Sequence, residues 1–221
     1  MMAENSYPKE AIDWLASLGF EYNKHPDLGR ILIENAKITA VIARAAQQDC
    51  NHLFRYVLPA FELRIRTAAD LAAFAEIAKV AGEATNSVFT SLISLINLLD
   101  TDTIKNLAEL ARNAGPNNIV YIFRYGLPDI QGILNAGNIM QAGTLFLELA
   151  RAAGENAGHV FVLLLPHAKN FISSINHILP VGYALIEARK QGIRQGELEG
   201  FIRGFLAAKR APSYDLLRRA A

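Results

Sequence analysis

Cysteine is almost missing from this chain: Cys50 is the single one in 221 residues. One thiol excludes an internal disulfide and fits a reducing compartment, so a cytoplasmic location is the expectation. An excess of charge of either sign is also lacking. Lysine plus arginine number 22 against 21 for aspartate plus glutamate. With no net field, association with nucleic acid or an anionic membrane would need local clustering of cations.

Long hydrophobic runs are absent too. The most apolar stretch, Val160 to Leu165, stops at Pro166, far short of the roughly 18 to 20 residues that cross a bilayer. Residues 1–24 carry acids early and lack the basic start and apolar centre of a secretory leader, so they read as mature protein.

The chemistry-bearing motifs are equally sparse. No phosphate-binding glycine loop, dinucleotide fingerprint or nucleophile elbow occurs. Cys50 and His52 form the one local nucleophile–base candidate, and residues two apart on a helix point nearly opposite ways. His25, His52, His159, His167 and His177 are dispersed without the three-or-four spacing of helical metal ligands. Asp100 and Asp102 suit helix capping better than acid–base work. These readings predict no enzymatic activity, no metal and no cofactor.

What the chain does contain is a repeat. Its hydrophobic fraction of 52% is ample for a core, and one phrase recurs: Ile42-Ala-Arg-Ala-Ala-Gln47, Ile77-Ala-Lys-Val-Ala-Gly82, Leu110-Ala-Arg-Asn-Ala-Gly115 and Leu149-Ala-Arg-Ala-Ala-Gly154. A degraded fifth copy is Glu187-Ala-Arg-Lys-Gln-Gly192. The phrase ends are 35, 33, 39 and 38 residues apart, reading from Gln47 to Gly192. A second phrase follows each of the first four: Phe54-Arg-Tyr-Val-Leu-Pro59, Phe89-Thr-Ser-Leu-Ile-Ser94, Phe123-Arg-Tyr-Gly-Leu-Pro128 and Phe161-Val-Leu-Leu-Leu-Pro166. Each unit is therefore a composite of two elements.

Both elements read as helices. Ile104, Leu107, Leu110, Ala111 and Ala114 fall on one side at the spacing of a 3.6-residue turn. Thr67 with Asp70, and Thr101 or Asp102 ahead of Ile104, can accept orphan amide protons of a first turn. Gly82, Gly115 and Gly154 are placed to end helices in a left-handed conformation, and Pro116 can open the next helix. Pro59, Pro128 and Pro166 should each kink or divide a helix, with Gly126 favouring a break at Pro128. Phe54, Phe89, Phe123 and Phe161 are expected in the core.

Helix pairs of this kind cannot bury both apolar faces alone, and stacking gives them a shared core. The expectation is an all-α fold: a right-handed α-solenoid of about four to five helix-turn-helix units of 33 to 39 residues. Residues 1–221 would form one repeat domain, with repeats over 31–192. Helical caps would span 1–30, with Trp14 covering an open end, and 193–221. On these phrases the chain resembles the HEAT-like members of the α-solenoid class over about residues 31–192. Its period is shorter than the roughly 40 to 47 residues usual for them, and tetratricopeptide and ankyrin signatures are missing. The resemblance implies a curved surface that binds protein or peptide.

The most organised surface feature is a row of bases, Arg44, Lys79, Arg112, Arg151 and Arg189, each three residues before a phrase end. Glu76, Glu109 and Glu148 precede three of them by three residues, on the same helical face. A solvated face with helix-supporting pairs of about 0.2 to 0.5 kcal/mol explains the pattern without function. A binding face explains it too, because stacking at about 8 to 10 Å would align the bases. The interleaved acids favour a protein or peptide partner; nucleic acid and an oligomer-forming role are the alternatives. Arg55–Tyr56 and Arg124–Tyr125 form a second, discontinuous set.

Overall fold

A computed structural model describes residues 7–210; every regular element among them is helical, with no strand. Parts of both expected caps, residues 1–6 and 211–221, lie outside the described residues. The chain divides into two compact units, Met1–Val120 and Tyr121–Ala221.

In the first unit, α1 (Lys9–Ser17) and α2 (Pro26–Glu34) precede α3 (Ala36–Ala46), α5 (Ala68–Ala81) and α7 (Thr101–Ala114). These last three form a row in which α5 packs against α3 on one side and α7 on the other. A second row holds α4 (Cys50–His52) with the turns that continue it to Phe61, and α6 (Thr85–Leu92) with the 3₁₀ turn Ile93–Leu98. Between the rows, Phe61, Phe74 and Phe89 meet at centroid distances of 4.9, 6.2 and 5.4 Å, and each is at most 1% exposed. Edge-to-face geometry of this kind adds to the area that the rings bury.

The second unit alternates α8 (Leu127–Asp129) and α10 (Leu165–Ala168), each extended backwards by a π-helical turn, with α9 (Ile139–Ala153), α11 (Ile178–Lys190) and α12 (Leu198–Arg210). Here α11 packs against α9 and α12. Trp14 at the N-terminal side is half-buried, while Leu198 and Ile202 of α12 are fully buried.

Parts of the repeat read from sequence recur in backbone and packing, although Gly115, with ψ 174°, departs from Gln47, Gly82 and Gly154. Phe74 and Phe146 stand eight residues before a phrase-ending glycine, and Phe89 and Phe161 stand seven after it. Phe74 packs edge-on against Phe89 at 5.4 Å, and Phe146 packs the same way on Phe161 at 6.0 Å. All five phrase ends have positive φ: Gln47 48°, Gly82 54°, Gly115 69°, Gly154 53° and Gly192 67°. At Gln47, Gly82 and Gly154, ψ is −120°, −131° and −127°. That is not the left-handed helical C-cap expected, for which ψ is about +47°. The difference arises because these residues also begin a 3₁₀ turn leading straight into the second helix of the unit.

The capping box at α5 forms as anticipated, with Asp70 N donating to Thr67 Oγ1 at 3.2 Å and Thr67 N donating to Asp70 Oδ2 at 3.0 Å. The α7 cap moves one residue earlier: Asp100 Oδ1 accepts from Thr103 N at 2.7 Å, so Thr101 lies inside the helix. Pro116 occupies the turn after Gly115, and the next helix opens at Ile119. Asn118 Nδ2 donates to the Ala114 carbonyl at 3.1 Å, which satisfies a helix-end acceptor and holds that turn.

Each repeat proline follows a π-helical turn, Leu53–Val57, Tyr121–Gly126 or His159–Leu164, and stands two residues beyond its end. The copy with Ser94 in place of proline runs as regular α6 into a 3₁₀ turn. Proline lacks the donor for its turn and its ring clashes with the carbonyl four residues back; widening the turn relieves both problems without breaking the helix. Gly126 is accordingly no break, with helical φ −63°. Its role is steric: a Cβ there would stand 2.7 Å from the Phe146 ring.

Candidate functional site

The row of bases belongs to the last turns of the longer helices, where cations complement the carbonyl end of the helix dipole. Arg44 of α3, Lys79 of α5 and Arg112 of α7 are exposed in the first unit, and Arg151 of α9 and Arg189 of α11 are exposed in the second. Their exposure follows from the apolar stripe opposite. On α7, Ile104, Leu107, Leu110, Ala111 and Ala114 are all at most 5% exposed, which forces Glu109 and Arg112 outward.

Within the first unit, α3 and α5 leave an open groove of about 570 Å³ between them. Arg44, Lys79 and Glu76 all line it, so the structure brings three of the sequence-selected residues to one site. Ile38, Val41 and Ala45 of α3 and Ala72 and Ala75 of α5 supply its apolar surface. Lys37, Gln47 and Gly82 complete the rim. The volume falls within the range of about 300 to 1,000 Å³ typical of ligand clefts.

In the first unit, two acid–base pairs at this face stay open. Among the described residues, no ion pair within 4.0 Å joins Glu76 to Lys79 or Glu109 to Arg112, although the spacing puts each pair on one face. In the second unit, Glu148 Oε1 accepts from Tyr183 Oη at 3.1 Å, a bond between α9 and α11. Among the described residues, i, i+3 ion pairs include Glu21–Lys24, Asp102–Lys105 and Glu187–Lys190.

The Arg–Tyr set is made of local cation–π pairs. Arg55 lies 5.6 Å from the Tyr56 ring centroid and Arg124 lies 5.2 Å from that of Tyr125. Arg55 also reaches Glu21 at 3.1 Å, and Tyr56 stays 61% exposed. Phe54, Phe89, Phe123 and Phe161 are wholly buried and belong to the core.

Cys50 and His52 sit in separate surroundings. The Cys50 thiol is pushed above its ordinary pKa by burial, which suppresses the thiolate. His52 Nδ1 pairs with Asn86 Oδ1 at 3.1 Å, and its ring packs 5.3 Å from Tyr56. Among the described residues, no three His, Cys, Asp or Glu side chains cluster in a way that could hold a metal ion. No described helix is long and apolar enough to cross a membrane. The Asp129 carboxyl is raised above its normal range by burial, against a weaker opposing effect from Lys169 at 4.0 Å.

Sequence reasoning missed the groove itself. Its apolar floor depends on Val41, which stands six residues before a phrase end, where α5, α7 and α9 carry Glu76, Glu109 and Glu148. That substitution of valine for an acid was the available signal. The sequence matches no known protein family and no curated protein, and the fold matches no solved structure.

Proposed function

We propose that this protein is a non-catalytic interaction scaffold, an α-solenoid whose row of longer helices receives a protein or peptide partner. The observation that carries the reading is the groove between α3 and α5, where Arg44, Lys79 and Glu76 share one cleft with an aliphatic floor. Interfaces of moderate affinity combine such an apolar centre with a charged rim. A mixed rim favours a polypeptide over nucleic acid, because a phosphate backbone gains from every cation and loses at every carboxylate. The HEAT-like resemblance points the same way, by architecture.

Affinity capture with the full chain tests this, using an Arg44→Glu/Lys79→Glu variant and an Arg55→Glu/Arg124→Glu control. Partners should be polypeptides that survive nuclease treatment, and the first variant should lose them while the control retains them. Equal capture by both variants, or capture abolished by nuclease, would overturn the proposal.

A further inference from the structure

Within the first unit, the α3–α5 groove differs from the repeat-equivalent positions of α7. Counting back from the phrase ends, Val41 replaces the acid carried at the same place by α5, α7 and α9. Ala72 of α5 takes the place held by Lys37 in α3 and Lys105 in α7. The first change removes a charge from the floor and the second removes a long side chain that would cover it. An aliphatic strip of Ile38, Val41 and Ala45 facing Ala72 and Ala75 is the result.

Around this strip the charges are three cations to one acid, Lys37, Arg44 and Lys79 against Glu76. None of the three cations has an ion pair within 4.0 Å among the described residues. Lys37 and Arg44 are two helical turns apart on α3, about 10 Å along its axis. Lys79 stands on α5 at the repeat position that Arg44 holds on α3. A ligand with a single carboxylate offers one negative charge to three cations. A phosphate backbone would leave the aliphatic strip uncovered. A helix with aliphatic residues along one stripe and acids beside it satisfies strip and cations together.

We infer that the α3–α5 groove docks an acidic amphipathic helical segment of a partner protein. Its aliphatic side chains lie on Ile38, Val41 and Ala45, and its carboxylates face Lys37, Arg44 and Lys79. This rests on the scaffold reading and names the chemistry of what the scaffold receives.

The test uses the full chain with labelled isoleucine and valine methyl groups. The probe is a peptide with leucine at i, i+3, i+4 and i+7 and glutamate at most other positions; its control has lysine for glutamate. The acidic peptide should shift the Ile38 and Val41 methyl resonances saturably, and its binding should weaken as salt rises. Val41→Glu should weaken binding about tenfold or more, as should Arg44→Glu/Lys79→Glu, since each puts like charges against the peptide. Val41 is half-exposed and its repeat equivalents in α5, α7 and α9 are glutamates, so the variant should keep the parent melting temperature.

The proposal is overturned if the acidic peptide leaves those methyl groups unmoved, if the lysine peptide binds equally, or if Val41→Glu binds as tightly as the parent. Peptide shifts confined to other methyl groups would sink the groove assignment and leave the scaffold reading intact. Failure of the full chain to capture any polypeptide would sink both.

Discussion

Gln47 is the only non-glycine among the residues described that has positive φ, at 48° with ψ −120°. The two repeat positions that share its conformation are occupied by Gly82 and Gly154. A side chain in this region of backbone space costs about 1 to 3 kcal/mol. Replacing it by glycine releases that strain but frees the unfolded chain, which returns about 0.4 to 1 kcal/mol. The Gln47 side chain is exposed and makes no hydrogen bond among the described residues, so its removal loses no packing. Gln47→Gly should therefore stabilise by about 1 kcal/mol, or roughly 2 to 4 °C in melting temperature for a chain of this size. The reciprocal change is Gly82→Ala. A Cβ at Gly82 meets nothing within 4 Å, so its cost is conformational alone and should be about 1 to 3 kcal/mol. Urea unfolding at constant m-value measures both. A destabilising Gln47→Gly beside a neutral Gly82→Ala would refute the claim that these two phrase ends are equivalent backbone positions.

Three further outcomes follow from local chemistry. The Thr103 amide, bonded to Asp100, holds its carboxyl below the ordinary range, so the cap contributes above the unfolded pKa and is lost as pH falls through the lower folded value. Asp100→Ala should cost about 1 kcal/mol at pH 7, a cost that shrinks as pH falls through the lowered pKa, by thermal melts across pH. Asp129 has the opposite sign: burial raises its pKa, so ionisation opposes folding as pH rises through the carboxylate range. Asp129→Asn should raise the melting temperature at pH 7 and make no difference near pH 3. Gly126→Ala would drive a methyl group to 2.7 Å from the Phe146 ring and should destabilise by about 1 to 3 kcal/mol in chemical denaturation.

The helical content was legible in the sequence because each apolar stripe has one dominant solution. The α7 stripe is buried residue for residue, and the four repeat phenylalanines occupy the core. Cap identity was readable at Thr67 and Asp70, where one pair of side chains serves both directions. At Asp100, Thr101 and Asp102 three competent acceptors stand in succession, and only the path of the backbone selects Asp100. The π-helical turns were hidden for a related reason. A proline states that a helical hydrogen bond is missing but not how the neighbouring turns share out the remainder. The groove was hardest to see, since a half-exposed valine signifies a cleft only once its facing helix and the two alanines there are known.

Binding through the row of longer helices is tested most directly by photo-crosslinking from both rows of the first unit. A benzophenone amino acid at Glu76 or Glu109 reports on α5 and α7, and one at Thr90 or Ser94 reports on the second row. Nuclease-resistant, protease-sensitive adducts at the first pair and none at the second is the predicted result. Adducts concentrated at Thr90 and Ser94, or destroyed by nuclease, would contradict it.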